Sequence, residues 1–179
     1  SILLILISAV GIGAWNGIGT LVDASVWVNH THKVEVKLRR LLSLQVDAET
    51  GQRGFLYTGD ERFLEPYTAA LKNIGETRDE LKHLIRDNPA QLSRLSEVGM
   101  LSDQKNDDLK QTIALKKAGR DQEVADHVGS GKGKEIMDRI RAKIDAMIAE
   151  EERLLQERQK KVGSALHTVN MISIGGVLS

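Results

Sequence analysis

The densest run of polar chemistry in this sequence is Asp47-Ala48-Glu49-Thr50-Gly51-Gln52-Arg53-Gly54. Glu49 and Arg53 stand four residues apart with the acid first, the order that favours an ion pair along a helix. Gly51 and Gly54 each weaken a helix by about 1 kcal/mol relative to Ala. Something must offset that, and close approach of another backbone is the usual reason. Two readings are open. The stretch is either a tight packing site carrying a surface salt bridge, or a polar site in or beside a helical bundle. In the second case Asp47, Glu49, Gln52 and Arg53 are the candidate sensing or packing-switch residues, meeting a ligand or a second protomer.

Other reactive groups are poorly placed for chemistry. Glu80-x-x-His83 has the spacing of half a di-iron site, but such a site needs a second Glu-x-x-His and two further inward Glu, and the sequence has no second copy. In His30-x-His32 the two imidazoles do not share a helix face. The stretch Gly129-Ser130-Gly131-Lys132-Gly133-Lys134 matches a phosphate loop only in composition; it lacks the Gly-x-x-x-x-Gly-Lys-Ser/Thr order and a preceding strand, and it reads as a flexible corner. There is no Cys, which excludes thiolate ligands and disulfides. No Ser-His-Asp set has support from spacing, and His127 and His167 have no partner that the sequence names. The expectation is no catalytic, cofactor-binding or metal-binding residue. With 25 Lys+Arg against 25 Asp+Glu the net charge is zero, so no nucleic-acid partner is expected.

The elements that must position these residues are helices. Aromatics make up 3% and there are 2 Pro, in a composition rich in helix formers. Four segments carry apolar seams at alternating spacings of three and four. The first is Val34, Leu38, Leu41, Gln45, Ala48, Gln52, Phe55; the second is Leu64, Tyr67, Leu71, Ile74, Arg78, Leu81, Ile85. The third, weaker, is Leu92, Leu95, Gly99, Ser102, Asn106, Leu109, Ile113; the fourth is Met137, Ile140, Ile144, Met147, Glu151, Leu154. Gln45, Gln52, Arg78 and Glu151 occupy seam positions. They indicate either a hydrated seam or register error, or a buried polar network that fixes register or meets a ligand.

The breaks are marked by Thr58-Gly59-Asp60, Asp87-Asn88-Pro89 and Ala118-Gly119. Asp60 can cap the second helix, and Pro66 fits a first helical turn. Asn88, Pro89 and Gln91 fit N-cap, first position and capping-box partner. A short helix over 121–128 then meets the Gly-rich stretch, and a last helix starts near Lys134. Segments of about 40–45 Å with short connections predict an all-α fold, an antiparallel up-down-up-down four-helix bundle. All Asp, Glu, Lys and Arg lie between Asp23 and Lys161. The flank 1–22 is apolar over about the 20 residues that a hydrocarbon core requires, and 162–179 reads as the start of a second, truncated span. The expected organisation is a transmembrane helix at 1–22, a bundle at 23–161 and a second transmembrane helix from 162, with the first and last bundle helices continuing into the membrane. Gly13-x-x-x-Gly17 would allow close approach of membrane helices. The first residue is Ser, not Met, which suggests a piece of a longer chain.

Several of these strings together resemble a known family. They are Trp27-Val28-x-His30-Thr31, Asp47 to Leu56 with Thr58-Gly59, Phe63-Leu64-x-Pro66-Tyr67, and Asp87-Asn88-Pro89-x-Gln91. To these are added Gly129-x-Gly131-x-Gly133-Lys134-x-x-Met137-Asp138-x-Ile140-Arg141 and Glu151-Glu152-x-Leu154-Leu155-x-x-Arg158. The set is similar to the signature of the type 3 CHASE domain and covers about residues 27–160; Phe55 and Phe63 depart from it at places where Tyr is common. The resemblance implies an extracytoplasmic sensory module between two membrane helices, at the N-terminus of a sensor histidine kinase, a chemoreceptor or a cyclic-nucleotide enzyme. It implies a periplasmic or extracellular bundle, a parallel homodimer, and an unknown small-molecule or protein stimulus. It carries over no binding residue. The competing readings are a ligand-free dimerisation or interaction bundle, which would self-associate strongly, and a metal-dependent enzyme, which would copurify with metal.

Overall fold

The computed structural model describes residues 2–175, with side chains described for 24–164, Gly19 and Val22. The spans expected at 1–22 and 162–179 therefore fall almost entirely outside the described side chains. Among the described residues, no helix is long and apolar enough to cross a membrane.

The described chain is helical, without strands. Helix α1 spans Ile2–Thr58, a 3-10 turn follows at Glu61–Leu64, and α2 spans Glu65–Leu84. Helices α3 (Pro89–Lys117), α4 (Asp121–Gly129) and α5 (Lys132–Gly175) complete it. Two compact units result, one from Ser1–Lys33 with Glu150–Ser179, the other from Val34–Ala149.

Local chemistry accounts for the breaks. Gly59, with φ +71°, takes the left-handed conformation that stops α1. The Asp60 side chain then accepts a 2.9 Å hydrogen bond from the Arg62 amide and opens the 3-10 turn. Pro66 sits in the first turn of α2, where its missing N–H is harmless. Asn88 caps α3 by accepting from the Gln91 amide at 3.2 Å. The reciprocal half of the expected capping box is replaced, because the Asn88 amide donates to the Ile85 carbonyl at 2.9 Å and the Gln91 side chain turns into the core. Gln91 is fully buried, and its side-chain amide donates across the core to the Met147 carbonyl at 3.0 Å. The corner expected to be flexible at 129–133 is a tight turn. Gly129 and Gly133 are helical, and only Ser130–Gly131 separates α4 from α5, with Gly131 at φ +74°.

The core of the 34–149 unit is drawn from four helices: Leu38 and Leu41 of α1, Ile74 and Leu81 of α2, Val98 and Leu109 of α3, Ile140 and Ile144 of α5, with their neighbours. The α1 and α5 seams are buried as expected from sequence. In α2, Thr77 is buried beside the seam while Arg78 is half exposed, lying over Gly99 and bonded to Asp103 at 2.8 Å. The α3 seam is buried at Leu95, Gly99, Ser102, Leu109 and Ile113, and a second, more polar ridge is buried beside it. That ridge is Gln91, Leu95, Val98, Ser102, Lys105, Leu109, Thr112, and Leu92 and Asn106 are only half buried. The seam glutamines are paired: Gln45 donates to the Ser102 hydroxyl, and Gln52 donates to the Thr112 hydroxyl at 2.6 Å.

Candidate functional site

Glu49, Gln52, Arg53 and Leu56 follow at i, i+3, i+4 and i+7 and so share one face of α1. That face forms one wall of a cavity of about 750 Å³ within the 34–149 unit. Lys105, Asp108, Leu109 and Thr112 of α3 form the second wall; Val124, His127 and Val128 of α4 and the first turns of α5 complete it. Gly51 and Gly54 anchor α1 beneath the 3-10 turn. A Cβ on Gly51 would lie 2.8 Å from the Tyr67 backbone nitrogen and 3.0 Å from the Phe63 carbonyl oxygen; one on Gly54 would lie 2.8 Å from the Phe63 ring. This is the close approach that the two glycines demanded.

The ion pair expected between Glu49 and Arg53 is not formed. Glu49 Oε2 instead meets Lys105 Nζ at 3.1 Å, and the same ammonium donates to the Gly133 carbonyl at 3.0 Å. The physical reason is burial: the Lys105 side chain is 3% exposed, and a buried ammonium requires a carboxylate where an exposed guanidinium does not. Arg53 is exposed and has no ion-pair partner among the described residues. Asp47 is half buried on another face of α1 and does not line the cavity. The structure thus brings three of the four candidate residues together and leaves Asp47 aside.

His127, which had no nameable partner in the sequence, lies with Nε2 2.7 Å from Asp108 Oδ1. An ionised carboxylate only accepts, so Nε2 carries the proton. Asp108 is buried, and its Oδ2 would be 2.6 Å from a Cβ on Gly133, so a larger residue in that first turn of α5 would displace the carboxylate. Lys134 and Arg141 both bond to Asp138, Arg141 at 2.9 Å; the Lys134 ammonium first, then burial working in opposition and the Arg141 charge, leave that carboxyl below the usual carboxylate range. The sequence motifs did not point to Lys105, Asp108 or His127. The signal was available for Lys105, because a 91-95-98-102-105-109-112 ridge keeps a strict four-three alternation. His127 had none.

The remaining candidates have ordinary partners. Glu80 pairs with Lys37, and the exposed His83 contacts Arg86 at 3.0 Å. In the other unit, the rings of Trp27 and His30 meet edge to face at 5.7 Å, and the Arg158 guanidinium lies 3.5 Å from the Trp27 ring centre. Among the described residues no three His, Asp or Glu are grouped so as to hold a metal ion.

Comparison with known proteins agrees with the sequence signature. The model of the CHASE3 domain matches residues 24–161. Among solved structures, the Rhodopseudomonas palustris histidine kinase HK9 sensor domain is similar, with 25% sequence identity, a TM-score of 0.65, and coverage of 70% of this chain and 98% of that one. No curated protein sequence matches.

Proposed function

The chain belongs to the CHASE3 domain family, and from that premise we propose that it is the extracytoplasmic input domain of a transmembrane receptor whose output is a histidine kinase. The observation that carries this reading is its likeness, across nearly the whole of that domain, to a sensor domain from a histidine kinase. The sensor domain has no catalytic part of its own; phosphotransfer would belong to a kinase region inside the cell.

The proposed architecture is an up-down-up-down antiparallel bundle flanked by membrane spans at 1–22 and from 162. Cross-helix pairs support it. Along α1, Lys37 meets Glu80 and Gly51 meets Tyr67, so α2 runs back along α1; along α3, Glu97 meets Lys143 and Lys105 meets Gly133, so α5 runs back along α3. The stimulus would favour one of two packings of the bundle, and a shift of about 1–2 Å between helices would carry it through the membrane in a homodimer. Glu49, Gln52 and Arg53 form the sensing region in this scheme, with a small molecule or protein as stimulus.

The test is an insertion scan in the full receptor. One to four alanines are added after Lys161 and kinase autophosphorylation is measured in membrane vesicles. Transmission by helix movement predicts output that rises and falls with the 3.6-residue period. Output that is unchanged, or that declines steadily with insert length, would refute it.

A further inference from the structure

We propose that the cavity between α1, α3, α4 and α5 binds a small organic monoanion, a carboxylate with an apolar body, whose charge is held by Arg53. This rests on the sensory reading and names the ligand class for the same site.

The inference follows from which charges are already taken. Lys105 is held by Glu49 and the Gly133 carbonyl, and Lys116 by Asp121 at 2.8 Å. Lys134 and Arg141 share Asp138, and His127 lies on Asp108. Among the described residues Arg53 is the cavity cation left without a carboxylate. A guanidinium presents a planar fork that fits a carboxylate in two parallel bonds. A single guanidinium fork matches the single charge of a carboxylate. Leu56, Leu109, Val124 and Val128 add apolar lining among the already paired charges. The volume, about 750 Å³, is that of a small-molecule pocket. A cation would be repelled by Arg53, and a neutral molecule would accept a hydrogen bond from it without the charge pairing that a carboxylate adds.

The experiment is calorimetric titration of the full 179-residue chain, in lipid nanodiscs, with acetate, propionate and butyrate. Butanamide, butylamine and inorganic phosphate serve as controls. Saturable carboxylate binding is expected, tightening by up to about fourfold per added methylene. Arg53→Gln should weaken butyrate at least tenfold while leaving the melting temperature unchanged, because the side chain is exposed and unpaired. Val128→Glu, at a second exposed position, should weaken butyrate and leave butanamide unaffected. The proposal is overturned by no saturable carboxylate binding, by butanamide, butylamine or phosphate binding as tightly as butyrate, or by an Arg53→Gln curve matching wild type. Failure here would leave the periodicity of the insertion scan intact, and loss of that periodicity would leave these binding curves intact.

Discussion

Lys105 and Glu49 form an unequal pair. The lysine side chain is 3% exposed and the glutamate 27%. Removing one member of a buried pair leaves the other charge uncompensated, and the penalty depends on how well water reaches the survivor. Glu49→Gln leaves an ammonium that water scarcely reaches. Lys105→Met leaves a carboxylate that can hydrate and replaces the lysine stem with an apolar chain of similar volume. Glu49→Gln is therefore expected to cost about 2–3 kcal/mol and Lys105→Met about 1 kcal/mol or less, with the double variant recovering part of the Glu49→Gln loss. Urea unfolding of the three variants checks the order; a larger loss in Lys105→Met would show that the lysine is stabilising in its own right. The helical spacing of Glu49 and Arg53 suggested a pair along α1. Spacing within one helix carries no information about a buried cation arriving from another, so the Glu49–Lys105 partnership was not legible from that motif.

At the level of the element, glycines that read alike in sequence divide by what surrounds them. A Cβ at Gly51 would meet backbone atoms of the 3-10 turn and α2 at 2.8–3.0 Å, whereas Gly75, inside α2, has nothing within 4 Å. Gly75→Ala is expected to stabilise by about 0.5–1 kcal/mol through helix propensity. Gly51→Ala should destabilise by about 1–3 kcal/mol, since backbone cannot step aside as a side chain can. Gly54→Ala, facing a Phe63 ring that can turn, should fall between them; thermal unfolding ranks the three. The seams of α1 and α5 were legible because their apolar residues are nearly unbroken. That of α3 was legible only in part: Leu95, Gly99, Ser102, Leu109 and Ile113 are buried as expected, but Gln91, Lys105 and Thr112 are buried too, and their polar side chains hide the width of the face. The capping signals at Asp60 and Asn88 were legible because they are local. The two-residue turn at Ser130–Gly131 was not, because glycine at 129 and 133 is a poor helix former and reads as part of the corner.

For the whole molecule, three surface carboxyls are expected to contribute to the acid limb of stability. Asp60 is held below the usual carboxylate range chiefly by the Arg62 side chain, Glu97 by Lys143 and Asp138 by Lys134. A carboxyl depressed in the folded state contributes stability above its unfolded value, and that contribution is lost as pH falls through the folded one. Their contribution should be level above about pH 5 and lost below about pH 4. None of the three is buried, so 1 M salt, with a screening length of about 3 Å, should flatten that acid limb. Denaturation curves across pH at two salt concentrations test this, and an acid limb indifferent to salt would point to buried groups instead. The polar ridge of α3 has a further effect on the bundle as a whole. Were α3 to slip one heptad along α1, Gln45 would face Leu95 or Leu109, and Glu49 would face Val98 or Thr112. Each slipped alignment separates Lys105 from its carboxylate. The ridge thus works like the wards of a lock, accepting one alignment and refusing its neighbours. A slip of a full heptad, about 10.5 Å, is thereby disfavoured in any motion that passes through this bundle.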